Sequence, residues 1–256
     1  MKTILGHLSY ANKNYLGTLK HLTQYQDKVR TIFTPLHGQI FDASEETKAD
    51  YILLSFDEYT QEFHDFLSQT NKNVLLFIDA VPEGNAEEVL QFFKNKTNIK
   101  YIASSNSPDD INTFVKYDKL YDSSIFYKTN SSRKDKIALI LSRDNDKNET
   151  IKDILYPNPT PMPVVCFNNP NFNHITNLGI LNDTDLAEIF NTYHAVIDLD
   201  EQFMLEALAC GCYYYDMDNF NKNIYNASFK DGTEINLSKH TFVYFIENKL
   251  LPLFGE

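Results

Sequence analysis

The sequence predicts an α/β protein made of two Rossmann-like domains facing a cleft, the first of them shortened. Three observations carry this reading. Short runs rich in Ile, Leu, Val, Phe and Tyr alternate with amphipathic stretches, as parallel strands do when helices cover both faces of a sheet. The alternation stops at a polar segment around residues 123 to 136 and then restarts. A chain of 256 residues, 43% apolar and 23% charged, suffices for one large domain or two of ordinary size, each with its own core.

In the first half, "KTILGHL", "VRTIFTPL", "DYILLSF", "NVLLFID" and "KYIASS" have the length and composition of strands. Between them, "EYTQEFHDFLSQT" and "NAEEVLQFFKNK" carry apolar residues at helical spacing. Asn12, Lys13 and Asn14, after the first strand, read as loop. In the second half, "KIALILS", "PVVCF", "HAVIDL" and "CYYYDM" read as strands. "ALILSRDNDKNETIKDIL" reads as a strand, a loop holding Arg143 and Lys147, and a helix. Asp183 is expected to cap a helix whose Leu186, Ile189, Phe190 and Tyr193 form one apolar stripe. In "FMLEALACGC", Leu205, Leu208 and Ala209 share a helical face, with Glu206 set among them and Gly211 fitted to a left-handed cap. These boundaries give a first domain over 1–125, a second over 135–240 and a helix over 241–256.

Charge and composition narrow the function. A net charge of −12, from 35 acids against 23 bases, repels a polyanion and disfavours a nucleic-acid surface. The base-rich "KTNSSRKDK" reads as a solvated linker. No apolar run is long enough to span a bilayer, and the first residues turn polar too early for a signal peptide, so a soluble, cytoplasmic protein is expected. Cys166, Cys210 and Cys212 form no disulfide framework and lack zinc spacing; Cys210 and Cys212 read as small buried hydrophobes. No glycine-rich dinucleotide fingerprint and no Walker loop is present. Doubly wound sheets bind ligands beyond the carboxyl ends of their strands, which directs attention to the loops after Leu5, Phe77, Leu141 and Ile197.

"NLGILNDTDLAEIFNTYHAVIDLDEQFMLEALACG" resembles the nucleotide-sugar-binding domain of retaining glycosyltransferases of the GT-B architecture, family 4 in particular. The resemblance runs over about residues 135 to 220 and extends to the first half in strand order alone. It implies a metal-independent, retaining transfer of a sugar from a nucleoside-diphosphate donor to an unidentified acceptor. The donor is substrate, and no separate cofactor is implied. The first domain would face the acceptor and the second would hold the nucleotide sugar.

Carried over by position, Glu206 resembles the acid that accepts hydrogen bonds from the donor ribose, with Leu205 beside it. Arg143 and Lys147 stand where the family pairs two cations with the diphosphate. Asp198, eight residues before Glu206, takes the place of a glutamate that meets the sugar. Asp79 stands at the strand end where many members have a histidine. His7 is the third catalytic candidate, and Gly6, with Asn12, Lys13 and Asn14, is expected either to approach an acceptor or the donor phosphate or to belong to an ordinary polar connection. Read without the resemblance, Arg143 and Lys147 are equally solvated loop residues and His7 a structural strand-end histidine. A second copy of the chain or a partner glycosyltransferase is an expected partner. The altered first acid and the missing histidine motivate an alternative, a glycosyltransferase-like nucleotide-binding or partner subunit that has lost transfer. A nucleotide-sugar epimerase ranks third.

Overall fold

The structure is a computed structural model that describes residues 1–7, 12–34, 48–56, 61–78, 96–104, 113–142, 145–155, 164–167, 176–215 and 235–255. It divides into two compact units, Met1–Tyr121 with Ser238–Glu256, and Asp122–Leu237.

The first unit is built on six strands: β1 (Lys2–His7), β2 (Val29–Thr34), β3 (Tyr51–Ser55), β4 (Asn73–Ile78), β5 (Ile99–Ser104) and β6 (Thr113–Tyr117). Their order is β2-β1-β3-β4-β5-β6, and every pairing is parallel. The period-two alternation of the strands sorts their apolar residues onto two faces. Ile4, Leu53, Leu75, Phe77 and Ile102 belong to one core cluster, and Leu5, Ile52, Leu54, Val74, Leu76 and Ile78 to the other. Both faces are buried, as the unbroken apolar runs require.

The segment expected as a loop after β1 is instead helix α1 (Lys13–Leu22). The Asn12 side chain caps it by accepting from the Tyr15 amide at 2.8 Å, and Tyr15, Leu19 and Leu22 turn inward. Helix α2 (Gln61–Gln69) follows β3 as its spacing predicts. The chain returns to this unit through a helical segment whose Phe242, Phe245, Ile246, Leu250, Leu251 and Phe254 join the first cluster. Gly17 lets α1 approach that segment: a methyl there would stand 2.1 Å from the Phe242 ring.

The second unit holds β7 (Lys134–Ile140), β8 (Val164–Phe167), β9 (Thr176–Asn177), β10 (Tyr193–Asp198) and β11 (Tyr213–Tyr215), in the order β11-β10-β7-β8-β9 and again all parallel. Helices α3 (Asn145–Leu155), α4 (Asp183–Thr192) and α5 (Met204–Ala209) leave β7, precede β10 and follow β10. Asn182, not Asp183, caps α4: its oxygen accepts from the Asp185 amide at 2.9 Å while its amide donates to the Asp185 carboxylate at 2.8 Å. Tyr193 lies at the start of β10 rather than on the helical stripe. Cys166, Cys210 and Cys212 are buried free thiols, and burial pushes Cys210 and Cys212 up to about 12. Among the described residues, no helix is long and apolar enough to cross a membrane.

Candidate functional site

In the second unit the chain runs from β7 outward to β8 and β9, then returns to place β10 on the other side of β7. The sheet therefore reverses its winding between β7 and β10. Such a reversal opens a crevice where the two adjacent loops diverge beyond the strand ends. The two strands end level, with Asp198 paired to Ile140.

On the β7 side, Ser142 is locked to the first turns of α3. Its amide donates to Asn148 Oδ1 at 2.8 Å, and Asn148 Nδ2 donates back to the Ser142 carbonyl at 2.8 Å. Lys147 sits on the first turn of α3, not in the preceding loop. Its ammonium reaches across to the β10 side, 3.1 Å from Asp200 Oδ1 and 3.3 Å from the Leu199 carbonyl. The Ser142 hydroxyl donates to the same Asp200 oxygen at 2.6 Å. Asp200 thus braces the two loops, and the Lys147 side chain remains 45% exposed above the strand ends.

On the β10 side Asp198 is engaged by the backbone. This carboxylate is fully buried, and its two oxygens accept from the Phe203 amide at 2.7 Å and the Asp200 amide at 3.3 Å. It organises the turn into α5, in which Glu201 adopts a left-handed φ of 55°. A carboxylate so engaged holds the loop in place. Leu205 is 2% exposed and belongs to the core face of α5.

Glu206, in the first turn of α5, is 9% exposed between buried Leu205 and Ala207. Burying a carboxylate is costly, which makes its presence in a short apolar helix informative. The helix ends as its sequence predicts. Gly211 takes φ +74°, its amide donates to Leu208 at 2.8 Å, and the Cys212 amide donates to Ala207 at 2.9 Å, the paired bonds of a Schellman motif.

Arg133 departs from the solvated-linker reading, which the exposed Lys128, Asn130, Ser131, Ser132, Lys134 and Asp135 around it bear out. Its guanidinium donates to the carbonyls of Phe190 and Tyr193 through Nη1, and of Cys210 and Gly211 through Nη2. These carbonyls close α4 and α5. The cation therefore sits at the negative ends of two helices.

In the first unit the equivalent reversal lies between β1 and β3. The Tyr15 hydroxyl lies there, 2.6 Å from the His7 carbonyl, 2.8 Å from the Leu53 carbonyl and 3.1 Å from the His7 amide, which donates to it. His7 ends β1, partly buried. A methyl at Gly6 would stand 2.8 Å from Leu19 and 3.0 Å from Phe33, so this glycine makes room for α1 and β2. Asp79 and Arg143 lie outside the described residues.

The structure therefore brings Lys147 and Glu206 to the starts of helices leaving neighbouring strand ends. It adds Asp200, which the sequence offers together with Glu201 as a substitute for Asp198, and Ser142, which the sequence does not single out. Asp200 carried a weak signal as one of three acids in "IDLDEQ"; Ser142 carried none. Among the described residues, no group of three or more His, Cys, Asp or Glu side chains could hold a metal ion.

No protein-family model matches the chain, and no curated protein matches it. Among solved structures, HepE from Anabaena, crystallised with UDP and glucose, is similar with a TM-score of 0.55 and 12% identity, over 84% of this chain and 80% of its own. A Listeria monocytogenes protein described as a UDP-N-acetylglucosamine 2-epimerase matches over 84% of this chain and 78% of its own, with a TM-score of 0.45 and 9% identity. At such identity the likeness to HepE speaks for the fold. The chain is an α/β protein of two Rossmann-like units, with the GT-B fold.

Proposed function

We propose that the protein is a retaining glycosyltransferase whose second unit binds a nucleoside-diphosphate sugar. The observation that carries this reading is the buried Glu206 carboxylate on the helix after β10, beside the strand whose following helix carries Lys147. A carboxylate accepts from both hydroxyls of a ribose, and a lysine at the same strand ends attracts the diphosphate. The complex of HepE with UDP and glucose makes UDP the first nucleotide to test.

In the proposed reaction the acceptor oxygen bonds to the anomeric carbon as the bond to the diphosphate oxygen breaks. The acceptor proton passes to the departing phosphate on the same face of the sugar. Lys147, with Arg143, offsets the charge that builds on the leaving group. Asp79 and His7 stand as the proposed sugar-side residues, and Asp198 leaves that set because its oxygens hold the β10–α5 turn.

That loss of an acid favours a second reading, a nucleotide-binding subunit without transfer. The test begins with thermal stabilisation by UDP and other nucleoside diphosphates, with Glu206→Ala alongside. At a ligand concentration of about 100 times Kd, stabilisation is about 2.7 kcal/mol. A shift with one base that disappears in Glu206→Ala supports the donor site. No shift with any nucleotide refutes it. Release of free sugar or its transfer from the matching donor then separates the enzyme from the binding subunit.

A further inference from the structure

We infer that Arg133 is a positioning residue for Glu206, a role that rests on the ribose-binding reading above. Helix α5 spans six residues and has no side-chain N-cap, so it is too short to hold its own geometry. Its entrance is held by the Asp198 carboxylate, which accepts from the Phe203 amide, and its exit by Arg133. The Glu206 carbonyl accepts from the Cys210 amide at 3.1 Å, and the Cys210 carbonyl accepts from Arg133 Nη2 at 3.1 Å. One residue thus links the backbone of Glu206 to the guanidinium.

The other bonds of Arg133 anchor that link. Nη2 also donates to the Gly211 carbonyl, and Nη1 donates to Tyr193 at the start of β10 and, at 3.4 Å, to Phe190 near the end of α4. The stretch that carries Arg133 is itself docked on α4. Asn191 accepts from the Thr129 amide at 2.7 Å and hydroxyl at 3.1 Å, and donates to the Tyr127 carbonyl at 3.0 Å. The guanidinium fork is therefore presented already oriented to its four carbonyls. A lysine brings the same charge to this place but has one nitrogen instead of a fork.

The consequence is specific to the ribose. Loosening the exit of α5 blurs the position of the Glu206 carboxylate, while Lys147, on α3 and braced by Asp200, keeps its place. Loss of Arg133 is expected to erase discrimination for the ribose hydroxyls and to spare affinity for a bare diphosphate.

The experiment is isothermal titration of the full chain with UDP, 2′-deoxyuridine diphosphate and inorganic pyrophosphate, for wild type, Arg133→Gln and Arg133→Lys. Wild type is expected to prefer UDP to the deoxy analogue by about tenfold, the size of one hydrogen bond to a charged group. In Arg133→Gln that ratio falls toward one while pyrophosphate affinity holds within about twofold, and Arg133→Lys recovers part of the ratio. If Arg133→Gln fails to fold, Arg133→Lys carries the comparison by its reduced ratio at unchanged pyrophosphate affinity. Equal weakening of all three ligands, or a wild-type ratio retained in the variants, overturns the inference alone. A wild-type protein that binds UDP and its deoxy analogue equally overturns the ribose role of Glu206, and the inference with it.

Discussion

Two glycines of the second unit share one backbone conformation in different surroundings, and alanine at each separates a conformational cost from a steric one. Gly179 and Gly211 both have φ +74°. A methyl at Gly179 meets nothing within 4 Å, whereas at Gly211 it stands 3.2 Å from Arg133 Nη2 and 3.2 Å from the Lys128 side chain. A left-handed φ costs an alanine about 1–2 kcal/mol, partly offset by about 0.4–1 kcal/mol from the stiffer unfolded chain. Gly179→Ala is therefore expected to lose about 1 kcal/mol. Gly211→Ala carries the same loss and also pushes the guanidinium away from the Cys210 and Gly211 carbonyls. Charge-assisted bonds at a partly exposed site add about 1–2 kcal/mol, for a total near 2–3 kcal/mol.

Urea unfolding followed by far-ultraviolet circular dichroism measures the difference, since the chain contains no tryptophan to serve as a fluorescent probe. Both glycines lie in the same compact unit, so both variants report on one transition even if the two units unfold separately. With a slope of about 2 kcal/mol/M, the midpoint for Gly211→Ala should fall below that for Gly179→Ala by about 0.5–1 M. Equal losses at the two sites would refute the idea that Arg133 packs against the α5 exit and stabilises it.

Two further predictions follow from the same geometry. Lys147→Ala should weaken inorganic pyrophosphate binding at least about tenfold, the effect of one charge-assisted contact, whereas Tyr15→Phe should lower the stability of the first unit and leave that affinity unchanged; titration and urea unfolding of both variants check this. Burial raises the Cys210 and Cys212 thiols from an ordinary value of 9.0 to about 12, so the folded state keeps them neutral where the unfolded chain ionises them. The stability they contribute is fully present below pH 9 and is lost progressively as pH rises from about 9 toward 12. Urea midpoints across that range should fall less steeply in a Cys210→Ala, Cys212→Ala double variant, and the native thiols should resist a thiol reagent at pH 8.

Much of the fold was legible because buried parallel strands announce themselves by composition. β1 to β5, β7, β8, β10 and β11 all overlap runs such as "NVLLFID" and "HAVIDL". What escaped was short or masked by polar residues. β9 has two residues, too few to form a pattern, and β6 reads as "TFVKY", an edge strand of mixed character. Helix α1 was hidden because "KNYLGTLKHL" contains a glycine and starts polar; the glycine is there for the Phe242 ring. Within the site, the place of Glu206 followed from its isolation among apolar neighbours. The roles of Arg133, Asp198 and Asp200 did not, because each depends on backbone groups or side chains of other elements. A basic tract in a polar segment looks solvated whether or not one of its arginines has four carbonyls to hold.

The two sheets show why the proposed anion-binding chemistry falls to the second unit. In each, the chain leaves the first strand, enters a helix, and places the third residue of that helix over the reversal in strand order: Tyr15 of α1 and Lys147 of α3. In each, that side chain reaches across to the chain added on the other side, Tyr15 to the carbonyl of Leu53 within β3 and Lys147 to the carbonyl of Leu199 just after β10. The topology is shared and the chemistry differs. Tyr15 is fully buried and joins backbone groups of two strands through one neutral hydroxyl, so it seals its crevice with a group whose hydrogen bonds are spent on the fold. Lys147 is nearly half exposed and is held by a carboxylate that Ser142 fixes in turn. An exposed ammonium on a braced stem can exchange part of its contact with Asp200 for a phosphate oxygen at little cost, whereas a buried tyrosine cannot leave its carbonyls without stranding them.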